Sequence, residues 1–159
     1  MDGNISVDVV SAYGIVAADS AKGGLSDPYV VISADGIDLG KTDIVKQSLA
    51  PVWNYKIHFH VSGNPESSAI KFELFDKDRW TKDDFIGQVV MKFSDISSGS
   101  LSGNCFMWES RPHPHKDKVA GSLTALVKYS PGPKEQAPPG YKDLGSYHFQ
   151  NTMFRPGPL

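Results

Sequence analysis

The 159-residue sequence contains a single cysteine, Cys105, and this scarcity excludes several classes of protein. One cysteine cannot form an internal disulfide framework, and it cannot supply the thiolate ligands of a structural zinc site. The first residues also lack the basic-then-apolar pattern of a secretory signal peptide. We therefore expect a cytoplasmic protein in a reducing compartment.

The sequence also lacks long apolar segments and an excess of charge of either sign. Its apolar stretches, such as residues 29–32, are far shorter than the roughly 20 residues that cross a bilayer. Sixteen basic and eighteen acidic residues give a formal net charge of −2. This balance argues against binding nucleic acid by bulk charge, so we expect no nucleic-acid partner and only peripheral contact with a membrane.

Sequence motifs for catalysis are missing as well. There is no Gly-x-Ser-x-Gly nucleophile motif, no P-loop and no dinucleotide-binding glycine motif. His58 and His60 share one face of a predicted strand and are candidate metal ligands, but solvent-facing polar positions explain them more simply. We predict that the chain is not an enzyme and has no catalytic residues.

Alternating apolar and polar residues, the pattern of half-buried strands, are abundant. Glycine, proline and asparagine separate these segments, while a helical period is absent apart from a brief turn at residues 94–96. Together they predict an all-β fold, an eight-stranded antiparallel Greek-key β-sandwich. The predicted strands cover residues 5–10, 29–32, 41–46, 53–61, 70–74, 85–93, 106–108 and 123–129.

The composition changes after residue 129, which divides the chain into a sandwich (residues 1–129) and a proline-rich C-terminal tail (residues 130–159). Proline disfavours a sheet ladder, so the tail is expected to be extended or irregular, with its apolar residues partly docked. Pro138, Pro139 and Tyr141 fit the Pro-Pro-x-Tyr pattern that WW domains bind. A WW-domain protein is therefore one candidate partner, and a passive tail is the alternative.

Two loops far apart in sequence, residues 18–27 and 75–84, carry five aspartates. If the strands alternate in direction, both loops lie at one end of the sandwich. Two carboxylates about 4 Å apart repel by roughly 4 kcal/mol at an effective dielectric constant near 20, and a bound cation reverses this term. Calcium is preferred over magnesium because it accepts six to eight oxygen ligands in flexible geometry. The aspartates are Asp19, Asp27, Asp76, Asp78 and Asp84.

Several separated motifs give the sequence a family resemblance. LSDPYV at 25–30, KT at 41–42, APVWN at 50–54, DKD at 76–78 and DFIG at 84–87 occur in the order and spacing of C2 domains. The resemblance covers residues 4–129 and implies an eight-stranded β-sandwich whose loops bind two or three calcium ions and then anionic phospholipid. The first strand runs directly into the first loop, and residues 121–129 resemble the strand that opens the other C2 arrangement. The chain thus resembles a stand-alone C2 domain of the permuted type II.

The resemblance also assigns roles to individual residues. The five aspartates match the side-chain ligands of the family, while the other metal ligands are the carbonyl groups of Ala18, Lys77 and Lys82 and the hydroxyl of Thr81.

Trp80, at the predicted tip of the second loop, lies between Arg79 and Lys82 and suits a bilayer interface. Packing of Trp80 against Tyr29 or Phe85 is the alternative. With Lys22 of the first loop, these residues form the predicted membrane-binding set.

These observations predict a module that binds anionic phospholipid membranes when calcium rises, cytoplasmic otherwise and acting as a peripheral targeting or adaptor domain. The rival hypothesis is a calcium-independent scaffold that binds proteins through the sandwich surface and the Pro-Pro-Gly-Tyr segment.

Overall fold

The computed structural model describes residues 1–15, 26–65, 67–101, 105–109 and 121–150. These ranges contain nine strands and one short helix. The elements are β1 (Asp2–Tyr13), β2 (Pro28–Ala34), β3 (Ile37–Lys41), β4 (Val52–Gly63), β5 (Ala69–Asp76), β6 (Asp84–Lys92), α1 (Phe93–Ser98), β7 (Cys105–Met107), β8 (Ser122–Pro131) and β9 (Lys142–Phe149). No helix in these ranges is long and apolar enough to cross a membrane.

The strands form two sheets that face each other across one core. The five-stranded sheet has the order β7-β8-β1-β4-β9, and the four-stranded sheet has the order β3-β2-β5-β6. Alternate residues of each strand point into the space between the sheets, so Ile5, Val7 and Val9 of β1 are fully buried. The predicted all-β sandwich is confirmed. The helical turn predicted near residue 95 is also present, as α1.

The third strand lies earlier in the chain than the alternation predicted. β2 and β3 form a hairpin whose two turn residues, Asp35 and Gly36, have φ values of 49° and 76°. Positive φ at both positions matches the twist of the two strands, so pairing resumes at once at Ile37. β3 therefore covers residues 37–41, and the prediction of a strand over residues 41–46 is wrong.

Part of the tail forms a strand, which corrects the prediction that residues after 129 cannot join a sheet. β9 pairs in parallel with β4, from Ile57 opposite Lys142 to Gly63 opposite Phe149. A Cβ atom on Gly63 would lie 2.0 Å from the carbonyl oxygen of Phe149, so only glycine permits this approach. The ring of Phe149 is buried 5.2 Å from the ring of Phe93. The sandwich thus has nine strands, one of them parallel, instead of eight antiparallel strands.

The connection from β8 to β9, residues 132–141, crosses the outer face of the five-stranded sheet. The side-chain amide of Asn4 on β1 donates to the carbonyl of Pro133 and accepts from the N–H of Glu135, at 2.8 and 2.9 Å. Near the start of the connection, Lys134 contacts both carboxylate oxygens of Asp143 on β9, with the shorter N–O distance 2.9 Å. Proline lacks the N–H for a ladder, but its carbonyl still accepts, and this suits a segment that crosses strands.

His58 and His60 are buried beneath this connection, so the expectation that they face solvent is wrong. His58 Nδ1 lies 2.8 Å from the hydroxyl of Ser6. His60 Nε2 lies 2.7 Å from a carboxylate oxygen of Asp2 and 3.1 Å from the carbonyl of Gly132. Both histidines therefore contribute to a covered polar layer on the outer face of the sheet.

Strand directions place several chain connections at one end of the sandwich, which we call the loop end. β1 and β5 finish there, and β2, β4, β6 and β8 begin there. Backbone hydrogen bonds from Ile15 to Leu49 and from Ser48 to Ser26 join the two sheets at this end. The sequence predicted that the two aspartate loops lie at one end of the sandwich if the strands alternate in direction. The structure places the second loop and Asp27 at this end.

Candidate metal centre and membrane-facing loop

Three of the predicted aspartates are neighbours along the paired backbone where β2 begins and the β5–β6 pair ends. The backbone N–H of Asp27 donates to Asp76 Oδ1 at 2.8 Å, and the N–H of Lys77 donates to the carbonyl of Asp27 at 3.0 Å. Asp76 is also directly opposite Asp84 in the ladder between β5 and β6. Residues 49 positions apart in sequence are thus held together by pairing that involves the backbone and does not depend on a bound ion.

The electrostatics of Asp76 show that this group carries concentrated negative charge. Burial raises the pKa of Asp76, and the charges of Asp27, Asp84 and Asp78 raise it further, while the hydrogen bond from the Asp27 N–H opposes this increase. Nearby negative charges of this kind disfavour the ionised form of Asp76. The negative charge around Asp76 therefore favours binding of a cation.

The β5–β6 loop, residues 77–83, is shaped by its own aspartates. Asp78 Oδ1 accepts hydrogen bonds from the N–H groups of Trp80 and Thr81, at 3.0 and 3.4 Å. The N–H of Asp78 donates to Asp83 Oδ1 at 2.9 Å. Such side-chain-to-backbone bonds are typical of tight turns and hold the loop in one path above the sheet.

Asp83 is a structural residue that the sequence analysis missed. Asp83 is half-buried and accepts a hydrogen bond from the hydroxyl of Tyr29. Lys77 Nζ lies 3.6 Å from Asp83 Oδ2, the same oxygen that accepts the hydrogen bond from Tyr29. Burial alone would raise the pKa of Asp83, but the bonds from Tyr29 and the Asp78 N–H, with Lys77, lower it below its usual value. Tyr29 and Asp83 are two strands apart, so no sequence spacing signals their contact.

The donor set at this end consists of oxygen atoms, as a hard cation such as calcium requires. Within the described ranges, no three Asp, Glu, His or Cys side chains are close enough to form a metal site by themselves. Asp19, Ala18 and Lys22 lie outside the described residues. The hydroxyl of Thr81 donates to the carbonyl of Lys82 at 3.4 Å, so these two predicted oxygen ligands are neighbours on the exposed side of the loop.

Trp80 stands out from the tip of the β5–β6 loop. Its side chain is 82% exposed, and the guanidinium of Arg79 lies 5.3 Å from the centre of its ring. The alternative of packing against Tyr29 or Phe85 does not occur, because Tyr29 stacks on Phe75 and Phe85 packs edge-on against the same ring. Since Lys82 is also exposed, the loop presents one aromatic ring between two basic side chains.

The Pro-Pro-Gly-Tyr segment is folded onto the sandwich. The N–H of Tyr141 donates to the carbonyl of Pro138 at 3.1 Å, and Gly140 has a φ of 85°, so Pro139 and Gly140 form a type II turn. The Tyr141 ring is half-buried, with Lys56 Nζ 5.9 Å from its centre. WW domains bind extended polyproline segments, so this geometry gives the predicted WW-domain partner no support.

The structure is a two-sheet β-sandwich with acidic residues at its loop end, and this architecture places the chain among the β-sandwich binding modules. The model of the C2 domain family matches residues 3–107, so the chain belongs to the C2 domain family. The resemblance stated from the motifs is confirmed. The permuted type II arrangement stays a prediction.

Relatives with related sequences differ greatly in length. The E3 ubiquitin-protein ligase NEDD4 of Rattus norvegicus is 32% identical over 136 residues, covering 80% of this chain but 15% of the relative. Protein C2-DOMAIN ABA-RELATED 11 of Arabidopsis thaliana is 30% identical over 132 residues, covering 83% of this chain and 69% of the relative. The chain thus spans only a small part of NEDD4.

Solved structures share the fold. A C2 domain of plant Extended Synaptotagmin 1 is 22% identical and covers 83% of this chain and 97% of that chain, with a TM-score of 0.63. The calcium-bound pair of C2 domains of Extended-Synaptotagmin 2 is 23% identical and covers 80% of this chain and 45% of that chain, with a TM-score of 0.66. At these identities the likeness shows the fold alone.

Proposed function

We propose that this C2 domain binds calcium at its loop end and then anchors to anionic phospholipid membranes. The observation that carries the proposal is the meeting of Asp27, Asp76 and Asp84, with Asp78 in the adjoining loop. These four carboxylates, with Asp19 and the oxygen atoms of Ala18, Lys77, Thr81 and Lys82, are the groups that would hold two or three ions. Bound calcium would supply positive charge and open coordination positions for lipid phosphate.

Charge reversal at the loop end is the switch in this proposal. Without an ion, the carboxylates repel an anionic membrane, and two calcium ions add four positive charges at the same place. Because the pairing of β2, β5 and β6 already brings the backbone of Asp27, Asp76 and Asp84 together, this switch requires no rearrangement of the sandwich.

The β5–β6 loop supplies the remaining contact with the bilayer. Moving the exposed Trp80 ring into the interface contributes roughly 1.5–3 kcal/mol. Arg79 and Lys82 each add about 1 kcal/mol on an anionic surface. The sum, about 3.5–5 kcal/mol, corresponds to a dissociation constant near 1 mM. In this proposal, stable anchoring therefore depends on calcium, because the loop alone binds the membrane only weakly.

Vesicle sedimentation tests the proposal. The wild type should pellet with phosphatidylserine-containing vesicles in calcium and stay in the supernatant in chelator. Asp78→Asn keeps Oδ1 as an acceptor for Trp80 and Thr81 but removes one charge, so it should reduce calcium-dependent pelleting. Asp95→Asn, on α1 at the opposite end, is the matched control and should behave as the wild type.

Calorimetric titration with calcium, without vesicles, separates the two steps. The wild type and Asp95→Asn should give the same isotherm, and Asp78→Asn a weaker one. Equal pelleting in calcium and chelator would refute calcium dependence and favour the calcium-independent scaffold. An unchanged isotherm for Asp78→Asn would refute the assignment of the metal ligand.

A further inference from the structure

Exposed apolar side chains on the sandwich are concentrated at the loop end. Among the described residues, seven large hydrophobic side chains are exposed, and five of them lie at this end. Trp80 and Ile44 belong to loops. The other three, Tyr13, Val52 and Met107, lie on strands of the five-stranded sheet and are 75%, 60% and 67% exposed.

These three residues belong to two neighbouring rows that run across the outer face of that sheet. In the row at the loop end, Met107 pairs with Ser122, which pairs with Tyr13. In the second row, Cys105 pairs with Thr124, Thr124 with Ser11, and Ser11 with Val52. No residue of either row is charged. We call these seven residues the neutral patch.

The connection from β8 to β9, residues 132–141, which we call the crossing segment, covers this face of the sheet only in part. Its contacts reach Asp2, Asn4 and His60 toward the opposite end of β1 and β4, and its last residue, Tyr141, lies next to Lys56, which pairs with Asp8. The neutral patch lies beyond that cover, next to the loop end. Removing the three exposed apolar side chains of this uncharged patch from water is favourable, and exposed apolar patches mark contact with proteins or membranes.

We propose that the neutral patch is a second membrane-contacting surface, so that the domain lies tilted with the outer face of the five-stranded sheet toward the lipid. This inference rests on the proposed function, because it extends the same lipid contact from the β5–β6 loop to the strand ends. A lipid surface is the occupant that the geometry favours, since Tyr13 and Met107 end their strands at the same end as the protruding Trp80. Tyrosine and tryptophan are the side chains that favour the bilayer interface.

A triple variant, Tyr13→Ser with Val52→Ser and Met107→Ser, tests the patch directly. All three side chains are mostly exposed, so the fold and the calcium-induced thermal shift should be retained. Its partition onto vesicles of phosphatidylcholine and phosphatidylserine in calcium should fall by more than about tenfold. Val90→Ser, an exposed valine on the four-stranded sheet, is the control and should change partition less than about twofold.

The single cysteine gives an independent measurement of depth. Cys105 is exposed within the patch, so it accepts an environment-sensitive fluorophore without further substitution. On vesicle binding its emission should shift to the blue, and nitroxide-labelled lipids should quench it. The same fluorophore at Ser97→Cys in a Cys105→Ser background, on α1 far from the loop end, should show neither effect.

The outcomes separate this inference from the proposed function. Wild-type binding with an unchanged triple variant and no quenching at Cys105 overturns the tilted contact but leaves calcium-dependent binding intact. Binding that ignores calcium but falls in the triple variant refutes the switch and supports the patch. A concentration-dependent shift of the Cys105 fluorophore without vesicles, with dimers in sedimentation velocity, assigns the patch to a second copy and overturns the inference.

Discussion

Replacing Asp76 by asparagine is expected to stabilise the metal-free domain while removing its response to calcium. Burial raises the pKa of Asp76, and Asp27, Asp84 and Asp78 add to this effect. An acid whose pKa is raised by folding opposes folding when it is ionised, so at neutral pH this carboxylate costs stability. The asparagine keeps an oxygen for the Asp27 N–H and removes the charge.

The pH dependence gives the sign of this effect. Above the pKa of folded Asp76 the wild type carries the unfavourable charge and the variant does not, so the variant should be the more stable. As the pH falls through that pKa, Asp76 becomes neutral, its penalty disappears, and the advantage of Asp76→Asn should vanish. An advantage that grows toward acid pH would contradict the assignment.

The size of the expected increase in melting temperature on calcium binding can be estimated for the wild type. A ligand at 100 times its dissociation constant stabilises the folded state by about 2.7 kcal/mol. For a domain of 159 residues, each kcal/mol shifts the melting temperature by about 2–4 °C. The wild type should therefore gain about 5–11 °C from calcium, whereas Asp76→Asn should gain much less. Circular dichroism melts in calcium and in chelator measure both values.

Two results would refute this reasoning. An Asp76→Asn protein less stable than the wild type in chelator at neutral pH would mean that the carboxylate is needed to hold β2 against β5. A full thermal gain from calcium in the variant would mean that Asp76 is not a metal ligand. Asp95→Asn controls for the loss of one negative charge and should match the wild type in both conditions.

Three further substitutions test the fold and the loop. Phe149→Ala should lower the free energy of unfolding by about 3–5 kcal/mol in urea titrations, because its buried ring packs on α1, whereas Val90→Ala should change it by less than about 0.5 kcal/mol. Trp80→Ala should weaken calcium-dependent vesicle partition roughly 10- to 150-fold with an unchanged urea midpoint. Asp83→Asn should destabilise the domain at neutral pH, and this loss should disappear as the pH falls through the lowered pKa of Asp83, as measured by urea midpoints across the pH range.

The alternation of apolar and polar residues correctly predicted the strands that bury one face in the core. The sequences of β1 and β4 alternate between apolar residues, which pack on the core, and mostly polar residues on the outer face. The same rule failed at β3, where a two-residue turn with positive φ decides where pairing resumes. It also failed at β9, because residues 142–149 contain no proline and so keep the backbone N–H groups that a ladder requires.

The candidate site, like the fold, was predicted from the sequence only in part. Motif spacing identified Asp27, Asp76 and Asp84, and backbone pairing of β2, β5 and β6 brings them together. The contact of Tyr29 with Asp83 was not predictable, because it joins two positions only through the sheet between them. His58 and His60 were wrongly expected to face solvent for the same reason, since a segment more than seventy positions away covers them.

The family match and the folded unit do not end at the same residue. The C2 domain match stops at residue 107, but β8 pairs along β1 from Tyr13 to Gly3, and β9 covers the edge of β4. The crossing segment between them satisfies Asn4 and covers His60, so removing it would take these hydrogen bonds away from buried polar groups. A WW domain that extended residues 138–141 would have to break the hydrogen bond from Tyr141 to Pro138 and lift the Tyr141 ring away from Lys56, and both changes cost free energy. The segment that most resembles a protein-binding motif is therefore better explained as the cover that completes the sandwich.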